Sequence, residues 1–406
     1  MSSIAAQAKI IDEVKIDILT QTQDADNAKW LRDVSRSFVS DTITAPTEDM
    51  YAYAVRASLG DDVYNEPCTK ILETHMAKLT GKEAALFVPS GTMSNQLALR
   101  AYCHLTISKK CAHTWAFRYE AGGTAFHSGA QLECVLPSNG HHLTLEDVQN
   151  NVVISSDVHS CPTAIIELEN TLNGTIIPQE EVIAISDYAH SNGIIMHLDG
   201  ARIWHVAAET GTSIKDLCDP FDSVSLCFSK GLGAPIGSCL VGSQAFITRA
   251  RWFRKMFGGG MRQTGFMAAA AAYALTYNFA KLLDVHALAR KLEVGLEEIG
   301  VKITSRAETC MVFYDPSPVG VSYAEIVSRA GSLASPIKLG GSRLVVHIQT
   351  TEETIDDFLA LVRELAQEKK AAGFDPSAQK GQPNGRANTN IYVKVAQADV
   401  AKLQKE

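Results

Sequence analysis

Several things are missing from this sequence. No apolar run approaches the roughly 20 residues that a membrane-spanning helix needs. The first residues, MSSIAAQAKIIDEVKID, lack a basic flank ahead of an apolar core, which excludes a secretory signal. There is no basic block, and the net charge is -8, so neither nucleic acid nor an anionic membrane surface is an expected partner. There is no CxxC pair. The nine cysteines (68, 103, 111, 134, 161, 218, 227, 239 and 310) are scattered and odd in number. They read as buried free thiols of a reducing compartment, so a cytoplasmic location is expected. No cluster has metal-ligand spacing, and no metal is expected. Repeats and low-complexity tracts are also missing.

What is present is ordinary globular composition: 46% of residues are hydrophobic and 20% charged, enough to bury a sizeable core. At 406 residues the chain exceeds one typical core, so a large and a smaller domain are expected. Residues 1–37 read as a helical extension. From 38 to 285, strand-like stretches (ALFV, VVISSDV, AIIELEN, IIMHLDG, SVSLCFS) alternate with helical ones (PCTKILETHMAKLT, QEEVIAISDYAHSNG). That alternation predicts an α/β domain with a mostly parallel sheet covered by helices on both faces. From 286 to 406 the pattern becomes α+β. KLEVGLEEIG and TEETIDDFLALVRELAQEKK have helical spacing, and VKITS, CMVFYDP and SRLVVHIQ are strand-like. Residues 371–390 are rich in Gly, Pro, Asn and Ser and are expected to be flexible.

Four stretches carry chemistry. In PSGTMSN, Ser90, Gly91 and Thr92 lie between a strand and a helix, where backbone N–H groups can cup a phosphate. By itself this is equally a capped turn. In HLDGAR, Asp199 ends a buried strand, where open α/β sheets bind ligands. A carboxylate there can pair with a protonated pyridine nitrogen, and Arg202 follows within reach of a ring oxygen or a substrate carboxylate. A structural ion pair is the plain alternative. In SLCFSKGLGAP, an apolar strand delivers Lys230 into a glycine-rich turn, with Ser229 beside it. A desolvated lysine is a better amine nucleophile. In FGGGMRQTG, three glycines allow close backbone approach, and Arg262 offers a fork for phosphate. The order of phosphate cup, aspartate and lysine, each at a strand end, suits an aminotransferase-like fold of type I that holds pyridoxal 5'-phosphate.

Over roughly residues 38–365 the chain resembles the threonine aldolase family of such enzymes. The resemblance is carried by SDTITAPT, GDDVY, LTGKEAALFVPSGTMSNQLAL, YEAGG, IIELENTLNG, HLDGARIW, CFSKGLGAPIGS, RKMFGGGMRQ and RLVVHI. It implies that Lys230 carries the cofactor as a Schiff base and that Asp199 pairs with its ring nitrogen. Ser90, Gly91, Thr92 and Ser229 would hold its phosphate, with Arg262 contributed by a neighbouring subunit. Ser40, Arg202 and Arg343 would bind the carboxylate of a small amino-acid substrate. Tyr64 would line the site, and His159, in DVHSCPT, would lie near the substrate side chain. A homodimer or homotetramer with shared active sites is implied.

The chain departs from the family pattern. Val39 stands where the family has arginine, and Asn65-Glu66-Pro67-Cys68 replaces an acidic pair. Five residues before the glutamate of YEAGG, where the family places a ring-stacking histidine, stands Trp115; His113 lies two residues further off. An ungapped count favours Trp115 as the stacking group. Two reactions are therefore open. One is retro-aldol cleavage of L-threonine or L-allo-threonine to glycine and acetaldehyde, with His159 as the remaining base. The other is racemisation of alanine, as in aldolase-like fungal racemases of cyclic-peptide pathways. A catalytically silent scaffold would be expected to lack Lys230 or Asp199, and both are present.

Overall fold

A computed structural model describes Val14 and residues 24–103, 110–113 and 120–375. Seven strands form one sheet: β1 (Ala84–Val88), β2 (Lys110–His113), β3 (Gln131–Cys134), β4 (Thr163–Glu169), β5 (Ile195–Gly200), β6 (Ser223–Cys227) and β7 (Ser238–Gly242). Their order is β1-β7-β6-β5-β4-β2-β3. Neighbours from β6 through β3 run parallel, while β7 runs antiparallel to both β6 and β1. Every residue of β6 and β7 is buried, as expected of a sheet covered on both faces. The core beneath it is built from residues such as Leu168, Leu198, Leu226 and Val241.

A second, three-stranded antiparallel sheet, ordered β10-β9-β8, comprises β8 (Lys302–Ser305), β9 (Met311–Asp315) and β10 (Arg343–Val345). Helices Leu282–Ile299, Tyr323–Gly331 and Glu352–Ala371 cover it, and Phe313, Tyr314 and Phe358 lie in its core. Phe38 packs into the same core. Its N–H donates to Lys338 O at 2.9 Å, and its carbonyl accepts from Val345 N at 2.9 Å.

Most sequence-derived elements appear with ends shifted by a few residues. One is corrected. VVISSDV, expected as a strand, runs as irregular chain after the helix Leu145–Asn151. Val153 bonds with Thr163 at the start of β4, but both edges of β4 are already taken by β2 and β5, so no ladder position is open. SRLVVHIQ shortens to the three residues of β10. In the N-terminal region a helix spans Asp24–Ser35; the rest of that expected extension, Val14 apart, lies outside the described residues, as do residues 376–390 of the expected flexible segment.

Candidate active site

The carboxyl ends of the parallel strands open into a cavity of about 480 Å³ lined by Ser90, Gly91, Thr92, Asp199, Arg202, Ser229, Lys230 and Arg343, among others. Each arrives for a local reason. β1 ends at Val88, and Ser90 caps the helix Gly91–Tyr102, its Oγ accepting from Met93 N at 3.1 Å. That leaves the N–H groups of the first turn facing the cavity mouth, where an anion is favoured. β5 ends in Asp199-Gly200, and β6 runs out into Phe228, Ser229 and Lys230. The chain then turns sharply: Gly233 N donates to Lys230 O at 2.8 Å with φ +71 at Gly233, a conformation glycine adopts without strain. The amine of Lys230 has no hydrogen-bond or ion-pair partner among the described residues.

The carboxylate of Asp199 is held on both oxygens. Oδ1 accepts from Ala201 N at 3.0 Å and Oδ2 from Asn95 Nδ2 at 3.0 Å. Asn95 Nδ2 also donates to Glu120 Oε1 at 2.9 Å, and its Oδ1 lies 3.3 Å from His197 Nε2. His197 Nδ1 in turn meets Ser223 Oγ at 2.8 Å. Asn95 therefore ties the cup helix to the end of β5. Three further acids crowd this region. Burial, then the charge of Asp199, pushes Glu120 up to about 8, and the same two causes raise Glu169 and Glu167. Glu120 and Glu169 line the cavity. Sequence reasoning missed Asn95, Glu120 and Glu169, although Asn95 stands in the cup motif itself.

Arg202 is gripped by Asp41, with Nη2 2.6 Å from Oδ1 and Nε 2.8 Å from Oδ2. Burial opposes ionisation of Asp41, but the charge and hydrogen bonds of Arg202 outweigh it and hold the carboxyl down at about 2. Arg343 lines the same wall and donates to Val39 O at 3.4 Å. Ser40 does not itself line the cavity; its Oγ lies 2.8 Å from the Oγ1 of Thr42, which does.

The remaining expected residues are not brought into the cavity of the single chain. Tyr64 is 81% exposed. Arg262 pairs with Asp61 on the surface. His159 is also exposed; its N–H donates to Asp157 Oδ1 at 2.9 Å, and its Nδ1 meets the same oxygen at 2.9 Å. Trp115 lies outside the described residues; of His113 the structure describes the backbone, at the end of β2.

The residues present fit pyridoxal phosphate. One cavity presents an unpaired amine, a carboxylate fixed at a strand end and a helix N-terminus. Against Gly91 lies Ser238 Oγ, a buried hydroxyl with no hydrogen-bond partner among the described residues, 3.5 Å from where a Cβ would stand. Glu120 Oε2 is likewise buried and unpartnered there. Orphaned polar atoms around a cavity are expected where a polar group completes the site.

Comparison with known proteins agrees. The family model described as Beta-eliminating lyase matches residues 37–317. A low-specificity L-threonine aldolase of Candida albicans is 45% identical over 328 residues, covering 79% of this chain and 87% of that one. An alanine racemase of Cochliobolus carbonum is 36% identical over 378 residues, covering 88% of this chain and 96% of that one. Among solved structures, a Leishmania major threonine aldolase superimposes with a TM-score of 0.68 at 17% identity, covering 81% of this chain and 99% of that one. An aromatic aminotransferase of Pyrococcus horikoshii gives 0.61 at 14% identity, covering 82% and 96%. These two likenesses establish the type I fold.

Proposed function

The chain belongs to the threonine aldolase family of beta-eliminating lyases, and we propose that it is a pyridoxal-phosphate lyase cleaving L-threonine or L-allo-threonine to glycine and acetaldehyde. The carrying observation is that Lys230, Asp199 and the Ser90–Thr92 turn line one cavity with two arginines on its wall. Bound there, the cofactor supplies an electron sink that weakens a bond to the substrate Cα.

The protein's own residues do the rest. Lys230 offers the amine that anchors the cofactor. Asp199, fixed by Asn95 and Ala201, keeps a negative charge where a protonated ring nitrogen needs one. Ser90, Gly91, Thr92 and Ser229 receive the phosphate. Arg202, Arg343 and Ser40 take the substrate carboxylate. His159, hydrogen-bonded to Asp157 and exposed in the single chain, would accept the β-hydroxyl proton only where assembly with a neighbouring subunit brings it to a cavity; its hydrogen bonds hold the Asp157 carboxyl below the usual range.

Two features support a homodimer or homotetramer that completes the site. Tyr64 and Arg262 stand outside the cavity of their own chain, Tyr64 exposed beside exposed Leu59 and Val63. Nearby, an apolar groove of about 710 Å³ is lined by Tyr53, Ile71, Leu79 and Phe279. A second chain would cover this groove and receive Arg262 and Tyr64. No described helix is long and apolar enough to cross a membrane, and Cys68, Cys218, Cys227, Cys239 and Cys310 are free thiols, which supports the cytoplasm as the place of work.

Alanine racemisation is the second reading. It is favoured by the racemase match, 36% identical over 88% of this chain. One experiment separates the two. The holoenzyme is given L-threonine and L-alanine separately, and acetaldehyde and D-alanine are measured. Acetaldehyde is expected; D-alanine without acetaldehyde would overturn the aldolase reading.

A further inference from the structure

Behind Arg202 runs a chain of buried polar groups that the proposed chemistry does not use. His205 and Glu209 stand four residues apart on the helix Ile203–Thr210, and His286 and Arg290 four apart on Leu282–Ile299. Residues at that spacing share a helix face, and the two faces meet. His205 Nδ1 lies 2.8 Å from His286 Nε2, and His286 Nδ1 lies 2.7 Å from Glu209 Oε2. Glu209 Oε1 accepts from Arg290 Nη1 at 2.9 Å. Both imidazoles are sealed from water, while Glu209 is 29% exposed.

The far nitrogen, His205 Nε2, has no hydrogen-bond partner among the described residues. It presses on the turn that carries the anchoring lysine, since a Cβ on Gly231 would stand 2.2 Å from it. A ring nitrogen of His205, a carboxylate oxygen of Asp41 and the sulfur of Cys310 all lie within 4.8 Å of one another. Asp41 gives both oxygens to Arg202.

The donor sense along this chain is forced from its outer end. A carboxylate only accepts, so His286 carries its proton on Nδ1. Burial lowers the pKa of both imidazoles, so each stays neutral near pH 7 and carries one proton. His286 Nε2 is then an acceptor, His205 Nδ1 donates to it, and His205 Nε2 is left as a bare lone pair. Asp41 meets no competing N–H from His205, and Arg202 keeps both carboxylate oxygens.

We propose that Glu209, through His286 and His205, is a positioning residue that keeps the proton off His205 Nε2 and so reserves Asp41 for Arg202. This rests on reading Arg202 as a ligand of the substrate carboxylate. The link predicts that a change at the far side of two buried rings alters substrate affinity with little effect on the chemical step. An arginine that grips the carboxylate equally before and during reaction contributes to KM and not to kcat.

Glu209→Gln tests it. A glutamine can accept from Arg290 with its carbonyl and present its amide N–H₂ to His286, which reverses every donor behind it. His205 then carries its proton on Nε2, the unpartnered nitrogen of a ring that lies beside Asp41. The full-length holoenzyme is compared with the variant by NMR of isotope-labelled histidine and arginine and by steady-state kinetics. Expected are transfer of the His205 proton from Nδ1 to Nε2, a shifted Arg202 guanidinium signal and a KM for L-threonine raised about tenfold with kcat within about twofold. A His205 proton that stays on Nδ1 would overturn the proposal. So would a moved proton with Arg202 and KM unchanged. The histidine and arginine signals need no turnover, so their shift in a protein inert toward threonine would keep the linkage and reject the aldolase reading instead.

Discussion

Asp41 and Arg202 form a two-point ion pair, 2.6 and 2.8 Å, in which the carboxylate is wholly buried and the guanidinium nearly so. The pair joins the segment after Phe38, which is rooted in the small-sheet core, to the end of β5 in the large sheet. It thus fixes one wall of the active-site cavity from both sheets.

Breaking that pair by Asp41→Asn should leave a buried guanidinium half-partnered and cost about 3–5 kcal/mol. Acid should expose the same term in the unmodified protein. The folded pKa of Asp41 is about 2, below its unfolded value of 3.8, so its contribution is present above pH 3.8 and is lost as pH falls through about 2. Urea unfolding at a series of pH values should show the wild type losing stability in that window and Asp41→Asn losing correspondingly less.

Glu120 titrates in the opposite sense. Its folded pKa of about 8 lies above the ordinary 4.5, so the folded protein holds a proton that the unfolded chain releases. Its favourable contribution is complete below pH 4.5 and declines as pH rises toward 8. Melting of the cofactor-free protein from pH 5 to 9 should show a falling Tm, and Glu120→Gln should flatten the fall. An equally steep fall in the variant would show that Glu120 ionises freely when folded.

Lys230→Ala should abolish the visible absorbance band of the wild-type holoenzyme while leaving the circular dichroism unchanged, because the side chain lines a cavity. Turnover should fall by roughly 1000-fold or more, since the nucleophile is lost. A variant that keeps the band would remove Lys230 from its anchoring role.

Gly231→Ala should destabilise by about 1–3 kcal/mol, because the added methyl would meet His205 Nε2 at 2.2 Å and neither backbone nor ring has room to retreat. Combining it with His205→Ala should recover part of that loss. Calorimetry on the two single variants and the double variant closes the cycle, and strict additivity would show that the two residues do not press on each other.

The fold was legible where periodicity and punctuation agreed. Asp199 and Lys230 could be placed at strand ends because each follows an apolar run and precedes a glycine. VVISSDV misled because its composition is strand-like, while its exclusion depends on which strands already flank β4, a fact of three-dimensional order. The supporting polar groups were silent for a related reason. Asn95 meets Asp199 across 104 residues of chain, and His205 meets His286 across 81. No local spacing encodes such meetings. Tyr64 and His159 came from family likeness and Arg262 first from its glycine-rich motif, and a single chain leaves all three outside the cavity.

The antiparallel strand β7 has a consequence for synthesis. Val88, just before the phosphate cup, pairs with Ser238, and Ala84 pairs with Gly242. Among the described strands only β7 joins β1 to the rest of the sheet. As the chain leaves the ribosome, the cup strand must therefore wait, unpaired, until both Asp199 and Lys230 have been made. Pairing across such a separation is slow, and the waiting strand is open to aggregation. The same delay means that the cup cannot settle against the sheet before the lysine that anchors the cofactor is already in the chain.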